Sequence, residues 1–211
     1  MTPPPALVFD FGNVIAFFDY SIACAPLGAM LGLSGEELLA QARRDGLTEL
    51  VVEYERGRMT TEEFGRAVRA LVRLEELPHE DFVAAWTAIF RLNESVAGLL
   101  PGLKAAGYTL VLGSNTNDLH ARHFRPQFAE TLGLFDALVM SHEVGHVKPS
   151  VEFYRACAEA AGRPLGECVF IDDLPENVAG ARAAGMVGIL YQDTPSLVAE
   201  LQNRGVAVSA G

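Results

Sequence analysis

The chain has 211 residues, of which 50% are hydrophobic, and a formal net charge of −11 at pH 7. This length suffices for one large domain, or for a domain with an insertion, and for a full hydrophobic core. The acidic balance argues against nucleic-acid binding, which requires a basic face. No apolar run approaches the roughly 18 residues that a bilayer-spanning helix requires, so we expect no membrane partner.

The N-terminal residues and the cysteines indicate the compartment. Segment 1–5 contains no basic residue and no long apolar stretch, so we expect no signal peptide. Cys24, Cys157 and Cys168 lie far apart without Cys-x-x-Cys spacing. This distribution is typical of small core residues in a reducing compartment, not of disulfides or a zinc site. We expect a cytoplasmic protein that is a monomer or a small homo-oligomer.

The first element is an apolar run over residues 6–15 that contains Asp10 and Gly12. An apolar run bounded by turn residues predicts a buried strand. Ligands of open parallel sheets bind outside the carboxyl ends of the strands, and we expect Asp10 to lie at such an end. Its carboxylate can ligate a metal there or attack an electrophile. The alternative is an aspartate that only caps the following turn.

Residues 20–92 have the pattern of helices. Ser34 and Thr60 both precede apparent helix starts, and Thr60 with Glu63 has the sequence of a capping box. The apolar residues that follow have amphipathic spacing, and no strand pattern interrupts the region. We therefore expect an all-helical insertion after the first strand.

Short apolar runs resume beyond this region and alternate with helical stretches. Such alternation predicts βαβ units around a parallel sheet that is covered on both faces. The sequence therefore predicts an α/β fold. The runs cover residues 108–113, 137–141, 168–173 and 187–191.

Polar residues follow several of these later strands. Ser114 and Asn115 follow one run, where hydroxyl, amide and turn N–H groups can hold an anion, although ordinary loops share this composition. Lys148 follows the next run, and a lone lysine is usually a solvated surface charge. Asp172 and Asp173 end the third run, and adjacent carboxylates repel each other unless a cation offsets them. We expect a divalent metal ion beside them.

The order of these residues resembles the four motifs of the haloacid dehalogenase superfamily, whose members are mostly magnesium-dependent phosphatases. The resemblance is closest to the bacterial alpha-D-glucose-1-phosphate phosphatases. It implies a Rossmann-like parallel core over residues 1–18 and 93–211, with an inserted helical cap of type 1 over residues 19–92. The segments that carry the closer resemblance are residues 9–15, 114–117, 119–120, 148–149 and 172–173.

The resemblance also implies roles for single residues. Asp10 matches the nucleophile, which attacks phosphorus and forms an aspartyl-phosphate. A Mg²⁺ ion with oxygen ligands suits the set of metal-binding positions. By resemblance, those positions are Asp10, the Gly12 carbonyl and Asp173, with Asp172 supporting them, and the phosphoryl oxygens are held by Ser114, the Asn115 backbone and Lys148.

Gly12 departs from the pattern of most phosphatases in the superfamily. They place a second aspartate there, which protonates the leaving alcohol and activates water. General acid–base help is typically worth about 10²–10⁴-fold, so its loss is a serious objection to fast turnover. The glucose-1-phosphate phosphatase group shares this glycine. Either a good leaving group departs unprotonated, or a cap residue or water supplies the proton; His120, His142 and His146 are nominal candidates.

The sequence therefore predicts a Mg²⁺-dependent phosphatase acting on small phosphomonoesters, such as glucose 1-phosphate, through an aspartyl-phosphate. One alternative is a metal-free 2-haloacid dehalogenase, which uses the same aspartyl attack on carbon. The paired aspartates count against it, because they would repel an anionic haloacid. A second alternative is a non-catalytic phosphate-binding regulator in which Gly12 marks lost chemistry.

Overall fold

The computed structural model of the protein describes residues 5–208 and contains a five-stranded parallel sheet. The strand order is β5-β4-β1-β6-β7, so the N-terminal strand lies in the centre. The predicted α/β class with a parallel core is confirmed. In chain order, the strands are β1 (Ala6–Phe9), β2 (Ala16–Phe18), β3 (Phe90–Leu92), β4 (Leu110–Ser114), β5 (Ala137–Met140), β6 (Cys168–Asp172) and β7 (Val187–Leu190).

The three central strands end at the same edge of the sheet. Phe9 of β1 is in register with Leu112 of β4 on one side and with Ile171 of β6 on the other. Asp10 therefore lies between the ends of β4 and β6. This placement agrees with the rule that open parallel sheets bind ligands at their carboxyl edge.

The predicted first strand over residues 6–15 was too long, because regular pairing stops at Phe9. The chain then turns back on itself, and the N–H groups of Ile15 and Ala16 both donate to the Phe11 carbonyl, at 3.0 and 2.8 Å. Asn13 adopts the left-handed conformation, with φ of 56°. Asparagine tolerates that region better than most residues, so it permits the tight turn.

Side chains of the central strand alternate between two hydrophobic layers. Leu7 and Phe9 belong to one buried cluster, and Ala6 and Val8 belong to another on the opposite face. This alternation follows from the two-residue period of a strand. The helices, in chain order, are α1 (Tyr20–Ala29), α2 (Gly35–Arg44), α3 (Leu47–Glu55), α4 (Thr61–Leu71), α5 (His79–Thr87), α6 (Glu94–Ala97), α7 (Leu100–Ala105), α8 (Asp118–Gln127), α9 (Ala129–Leu132), α10 (Ser141–Val144), α11 (Val151–Ala161), α12 (Pro175–Ala184) and α13 (Thr194–Asn203).

Helices α1 to α5 form a bundle with a third hydrophobic cluster, which includes Tyr54, Phe64 and Trp86. Both predicted helix starts are present, because Ser34 and Thr60 cap α2 and α4 with complete capping boxes. The expectation that residues 20–92 contain no strand was wrong at its end. Strand β3 pairs with β2 in an antiparallel ribbon, so the chain enters and leaves the bundle through adjacent segments.

The remaining observations concern membrane-spanning helices and the two ends of the chain. Within residues 5–208, no helix is both long enough and apolar enough to span a membrane. Residues 206–208 adopt no regular secondary structure. Residues 1–4 and 209–211, which belong to the predicted core, lie outside the described residues.

Candidate active site

Asp10 is the first residue beyond β1 and is held at the centre of the carboxyl edge. Its N–H donates to the Ile171 carbonyl at 2.8 Å, which extends the pairing with β6 by one bond. Its Oδ1 accepts a hydrogen bond from the N–H of Phe11 at 2.7 Å. The side chain is therefore fixed at the strand end and is largely buried.

Lys148 supplies a buried positive charge directly beside Asp10. Its Nζ lies 2.6 Å from Oδ1 of Asp10 and 2.7 Å from Oδ2 of Asp172. Burial opposes the charging of this amine, but the two carboxylates outweigh that effect and hold the pKa of Lys148 above its usual value. The sequence alone allowed a solvated surface lysine, whereas the structure places an ammonium group inside the site.

Asn115 fixes the backbone of Lys148 from the neighbouring loop. Its Oδ1 accepts from the N–H of Lys148 at 2.8 Å, and its Nδ2 donates to the Lys148 carbonyl at 3.2 Å. This reciprocal pair uses the Asn115 side chain to position Lys148, whereas the sequence indicated only that an amide here could hold an anion. Ser114 is buried at the end of β4, and its hydroxyl makes a long contact of 3.4 Å with the Asn115 carbonyl.

The two adjacent aspartates have different surroundings. Asp172 is fully buried and accepts hydrogen bonds from Leu174 N–H and from Asn177 Nδ2, besides its contact with Lys148. Asp173 is half-buried, and its Oδ2 accepts from Nδ2 of Asn13 at 3.0 Å. The roles of Asn13 and Asn177, and the bonding of the Asn115 side chain to Lys148, could not be identified from the sequence. Their spacing carries no chemical signal by itself, and only the fold brings them in.

The three aspartates form a group that fits a divalent cation. Asp10, Asp172 and Asp173 each offer a carboxylate oxygen, and these oxygens lie within 4.8 Å of one another. The pKa of Asp10 is raised to about 7, chiefly by burial; Lys148 opposes the shift, and Asp172 and Asp173 reinforce it. Three carboxylates beside one ammonium leave a surplus of negative charge. Oxygen donors with surplus negative charge are the environment that Mg²⁺ prefers.

A side chain at position 12 would require the Phe18 ring to move from its place in this structure. A Cβ built at this position would lie 2.8 Å from Cε1 of Phe18, a contact that real Cβ atoms do not make. The Phe18 ring therefore covers the position where most members of the superfamily carry their second aspartate. The backbone of Gly12 is not in the left-handed region, so the obstacle is the phenylalanine ring.

The three histidines differ in burial and charge. Burial lowers the pKa of His120 to about 3, and the ring stacks on Trp86 with centroids 5.7 Å apart. His120 thus remains neutral, and it lies buried on α8. Burial also lowers the pKa of His142, which is half-buried. His146 is exposed.

A cavity lies at the strand ends, and another lies beyond it among the helices of the bundle. A small cavity of about 50 Å³ has Gly12 and Ser114 in its wall, and a larger one of about 230 Å³ lies among the bundle helices. Tyr20 and Glu55 line both cavities. Burial raises the pKa of Glu55 to about 7. No feature of the sequence marks Glu55 as a site residue, because a glutamate on an amphipathic helix is usually solvated.

A model of the family described as haloacid dehalogenase-like hydrolase matches residues 5–185. The predicted superfamily and the prediction of a hydrolase are confirmed by this match. Drimenol cyclase drtB of Aspergillus calidoustus is 29% identical over 94% of this chain, but the chain spans only 36% of that protein. Sesquiterpene phosphatase astK of Aspergillus oryzae is 25% identical over 93% of this chain and 94% of its own length. D-ribitol-5-phosphate phosphatase of Bacteroides thetaiotaomicron is 29% identical, over 82% and 84%.

A solved structure supports the same fold. A haloacid dehalogenase family enzyme from Bacteroides thetaiotaomicron, crystallised with magnesium and inorganic phosphate, superposes with a TM-score of 0.73. The match covers 90% of this chain and 94% of that chain, at 24% sequence identity. This likeness concerns the fold.

If the acidic group binds a divalent cation, Mg²⁺ will stabilise the folded protein. A ligand at about one hundred times its Kd contributes about 2.7 kcal/mol, which raises the Tm of a chain of this size by roughly 5–10 °C. We expect this shift for the wild type in a thermal melt with and without EDTA. The shift should be lost in Asp173→Asn and retained in Asp81→Asn, an exposed aspartate on α5. Equal shifts in both variants would contradict a metal site at Asp173.

Proposed function

Because the chain belongs to the haloacid dehalogenase-like hydrolase family, we propose that it is a Mg²⁺-dependent phosphatase that forms an aspartyl-phosphate on Asp10. The observation that carries the proposal is the contact of Lys148 with both Asp10 and Asp172, at 2.6 and 2.7 Å. This contact brings a nucleophilic carboxylate, a cation and the acidic group to one point. Phosphoryl transfer depends mainly on positioning and on neutralising charge, and these groups supply both.

The chain's own residues account for the first half of the reaction. A carboxylate oxygen of Asp10 attacks phosphorus, the bond to the leaving alcohol breaks, and an acyl-phosphate forms. Lys148, Ser114 and the Asn115 backbone hold the phosphoryl oxygens in this proposal. The side chain of Asn115 supports Lys148 through its two backbone hydrogen bonds. Water then hydrolyses the acyl-phosphate and regenerates Asp10.

The metal ligands follow from the same arrangement. Asp10, the Gly12 carbonyl and Asp173 would hold Mg²⁺, and Asp172 would support the site through its contact with Lys148. A bound Mg²⁺ supplies charge neutralisation at the phosphoryl group and orients it. The Gly12 carbonyl remains available as a ligand despite the absence of a side chain.

The surplus negative charge also bears on the two alternatives. A metal-free 2-haloacid dehalogenase must attract a carboxylate substrate, which the uncompensated aspartates would repel. A non-catalytic regulator would bind phosphate without needing a nucleophile. Asp10 nevertheless remains fixed by Phe11 N–H and paired with Lys148, as a nucleophile requires. Both arguments favour the phosphatase.

The substrate class has two candidates. The first is a sugar phosphate such as glucose 1-phosphate, which the resemblance to the glucose-1-phosphate phosphatases supports, as does the similarity to D-ribitol-5-phosphate phosphatase. The second is a phosphate ester of an apolar alcohol. The cavity of about 230 Å³ favours this class, because most of its wall is apolar. The apolar residues are Leu39, Leu47, Val51, Val52, Tyr20 and Trp86, and the polar ones are Arg43, Thr48 and Glu55.

We also propose that the helices between β2 and β3 act as a mobile cap. The two strands of the ribbon carry both connections to the bundle, so a small rotation there would move all five helices together. Closure would exclude water and complete the pocket. A cytoplasmic location is a further proposal, which the three free and buried cysteines support. A phosphorylated small molecule is the partner, and the oligomeric state stays an expectation.

Asp10→Asn should abolish turnover without unfolding the protein. Asparagine is nearly isosteric with aspartate but lacks the nucleophilic carboxylate, so we expect kcat to fall by at least about 10⁴-fold. Phosphate release in the presence of Mg²⁺ measures the loss, and circular dichroism checks the fold. The control is Asp81→Asn, which removes an exposed carboxylate. Turnover close to that of the wild type in Asp10→Asn would rule out Asp10 as the nucleophile.

A substrate panel separates the two substrate classes. If the cavity binds an apolar group, kcat/KM for octyl phosphate should exceed that for glucose 1-phosphate by about tenfold or more, because each buried methylene contributes about 0.8 kcal/mol. Val51→Asn should reduce that preference, whereas Val187→Asn, at an exposed residue of β7, should not. The opposite order, with glucose 1-phosphate ahead, would favour the sugar-phosphate class and contradict the apolar one.

A further inference from the structure

Glu55 stands at the junction of the two cavities. It is the last residue of α3 and shares the small cavity with Gly12, Ser114 and Asn115. It also lines the larger cavity among the helices, where the rest of a substrate would lie. A group between a phosphate-binding edge and a substrate pocket faces the bond that joins them.

The carboxyl group of Glu55 is uncommitted. Among residues 5–208 it forms no hydrogen bond and no salt bridge. Its neighbours on α3 behave differently, because Glu53 pairs with Arg56 and Arg58 at the surface. A half-buried carboxyl group without a structural partner is free to bond to a substrate.

Gly12 leaves the site without a proton donor at position 12, so a donor must come from another residue that lines the same cavity. Position 12 has no side chain, and the Phe18 ring covers the place that an aspartate would take there. Of the other residues in the small cavity, His120 is neutral and uses Nε2 and Nδ1 in contacts with the Trp86 carbonyl and Asn117. Among the residues that line this cavity, Glu55 therefore has the one free carboxyl group.

We propose that Glu55 is the general acid and base of the reaction, supplied by the helical bundle in place of the absent aspartate at position 12. This inference rests on the proposed phosphatase function. In the first step, the protonated carboxyl gives its proton to the ester oxygen as the bond from phosphorus to that oxygen breaks and the bond from Asp10 to phosphorus forms. The products are the alcohol, the acyl-phosphate and a Glu55 carboxylate.

The second step restores both residues. The Glu55 carboxylate takes a proton from water as the water oxygen bonds to phosphorus and the bond from phosphorus to Asp10 breaks. Inorganic phosphate leaves, Asp10 is again a carboxylate, and Glu55 is again protonated. Before substrate binds, burial raises the pKa of Glu55 to about 7, with Lys148 opposing the shift and Asp10 reinforcing it. A carboxyl group whose pKa lies near neutral pH can donate a proton in one step and accept a proton in the next.

Other titratable groups face Glu55 from the surrounding elements. The groups that line its cavities or act on its charge are Asp10, Tyr20, Arg43, His120 and Lys148. Helix α10, which packs against α3, carries His142 and Glu143. The two histidines stay neutral near pH 7, because burial lowers both of their pKa values. Glu55 must be protonated for the first step and controls the alkaline side of a pH profile.

The test uses Glu55→Gln with p-nitrophenyl phosphate and Mg²⁺. The nitrophenol leaves without needing a proton, so the first step should survive and the second should be slow. We expect a burst of about one nitrophenol per protein molecule, then a steady rate lower by about 10²–10⁴-fold. Mass spectrometry after acid quench should detect one added phosphoryl group. Glu49→Gln, an exposed glutamate on the same helix, is the matched control and should behave as the wild type.

A second measurement uses esters of poor leaving groups. With glucose 6-phosphate, Glu55→Gln should lose more kcat/KM than with p-nitrophenyl phosphate, and the alkaline limb of its pH profile should disappear. Wild-type turnover in Glu55→Gln, or an equal loss on both substrates without a burst, would overturn the role of Glu55. A wild type without Mg²⁺-dependent hydrolysis of any ester would instead refute the proposed phosphatase function. The two failures are therefore distinguishable.

Discussion

The buried ammonium group of Lys148 is the contact on which the rest of the site depends. Its Nζ touches Asp10 and Asp172, which lie at the ends of the neighbouring strands β1 and β6. Two carboxylates this close and this buried repel each other strongly unless a cation lies between them. The lysine makes their approach possible, and the negative charge that remains with Asp173 creates the environment for a divalent ion.

The Asn115 side chain then fixes the backbone of that lysine, and the other side of the site opens toward the helices. Asn115, beyond β4, holds the Lys148 backbone through two hydrogen bonds, so three loops at the carboxyl edge are tied together. On the other side, the Phe18 ring occupies the space that a side chain at position 12 would take. Proton transfer is consequently assigned to Glu55 of the helical bundle. In the proposed mechanism, residues at the sheet edge bind the phosphoryl group and the metal, and the bundle supplies the proton for the leaving group.

Features carried by local sequence could be predicted, and features set by tertiary packing could not. Patterns only a few residues long were enough to predict three features of the protein. These are the apolar run that leads to Asp10, the capping boxes, and the pair Asp172–Asp173. The end of β1 at Phe9 depends on the left-handed turn at Asn13, which no apolar count reveals. The position of Glu55 in the two cavities could not be predicted, because it depends on how α3 packs against its neighbours. Strand β3 is three residues long and exists only through pairing with β2.

A double-mutant cycle on Lys148 and Asp172 tests the central claim most directly. Unfolding free energies are measured in urea with EDTA for Lys148→Met, Asp172→Asn and the double variant. Lys148→Met alone should cost about 3–5 kcal/mol, because it leaves buried carboxylates without a cation. The double variant should cost less than the sum by about 1.5–3 kcal/mol. The more exposed pair Lys104–Asp136 serves as the control, with coupling below about 1 kcal/mol. Additive costs at Lys148 and Asp172 would contradict the account.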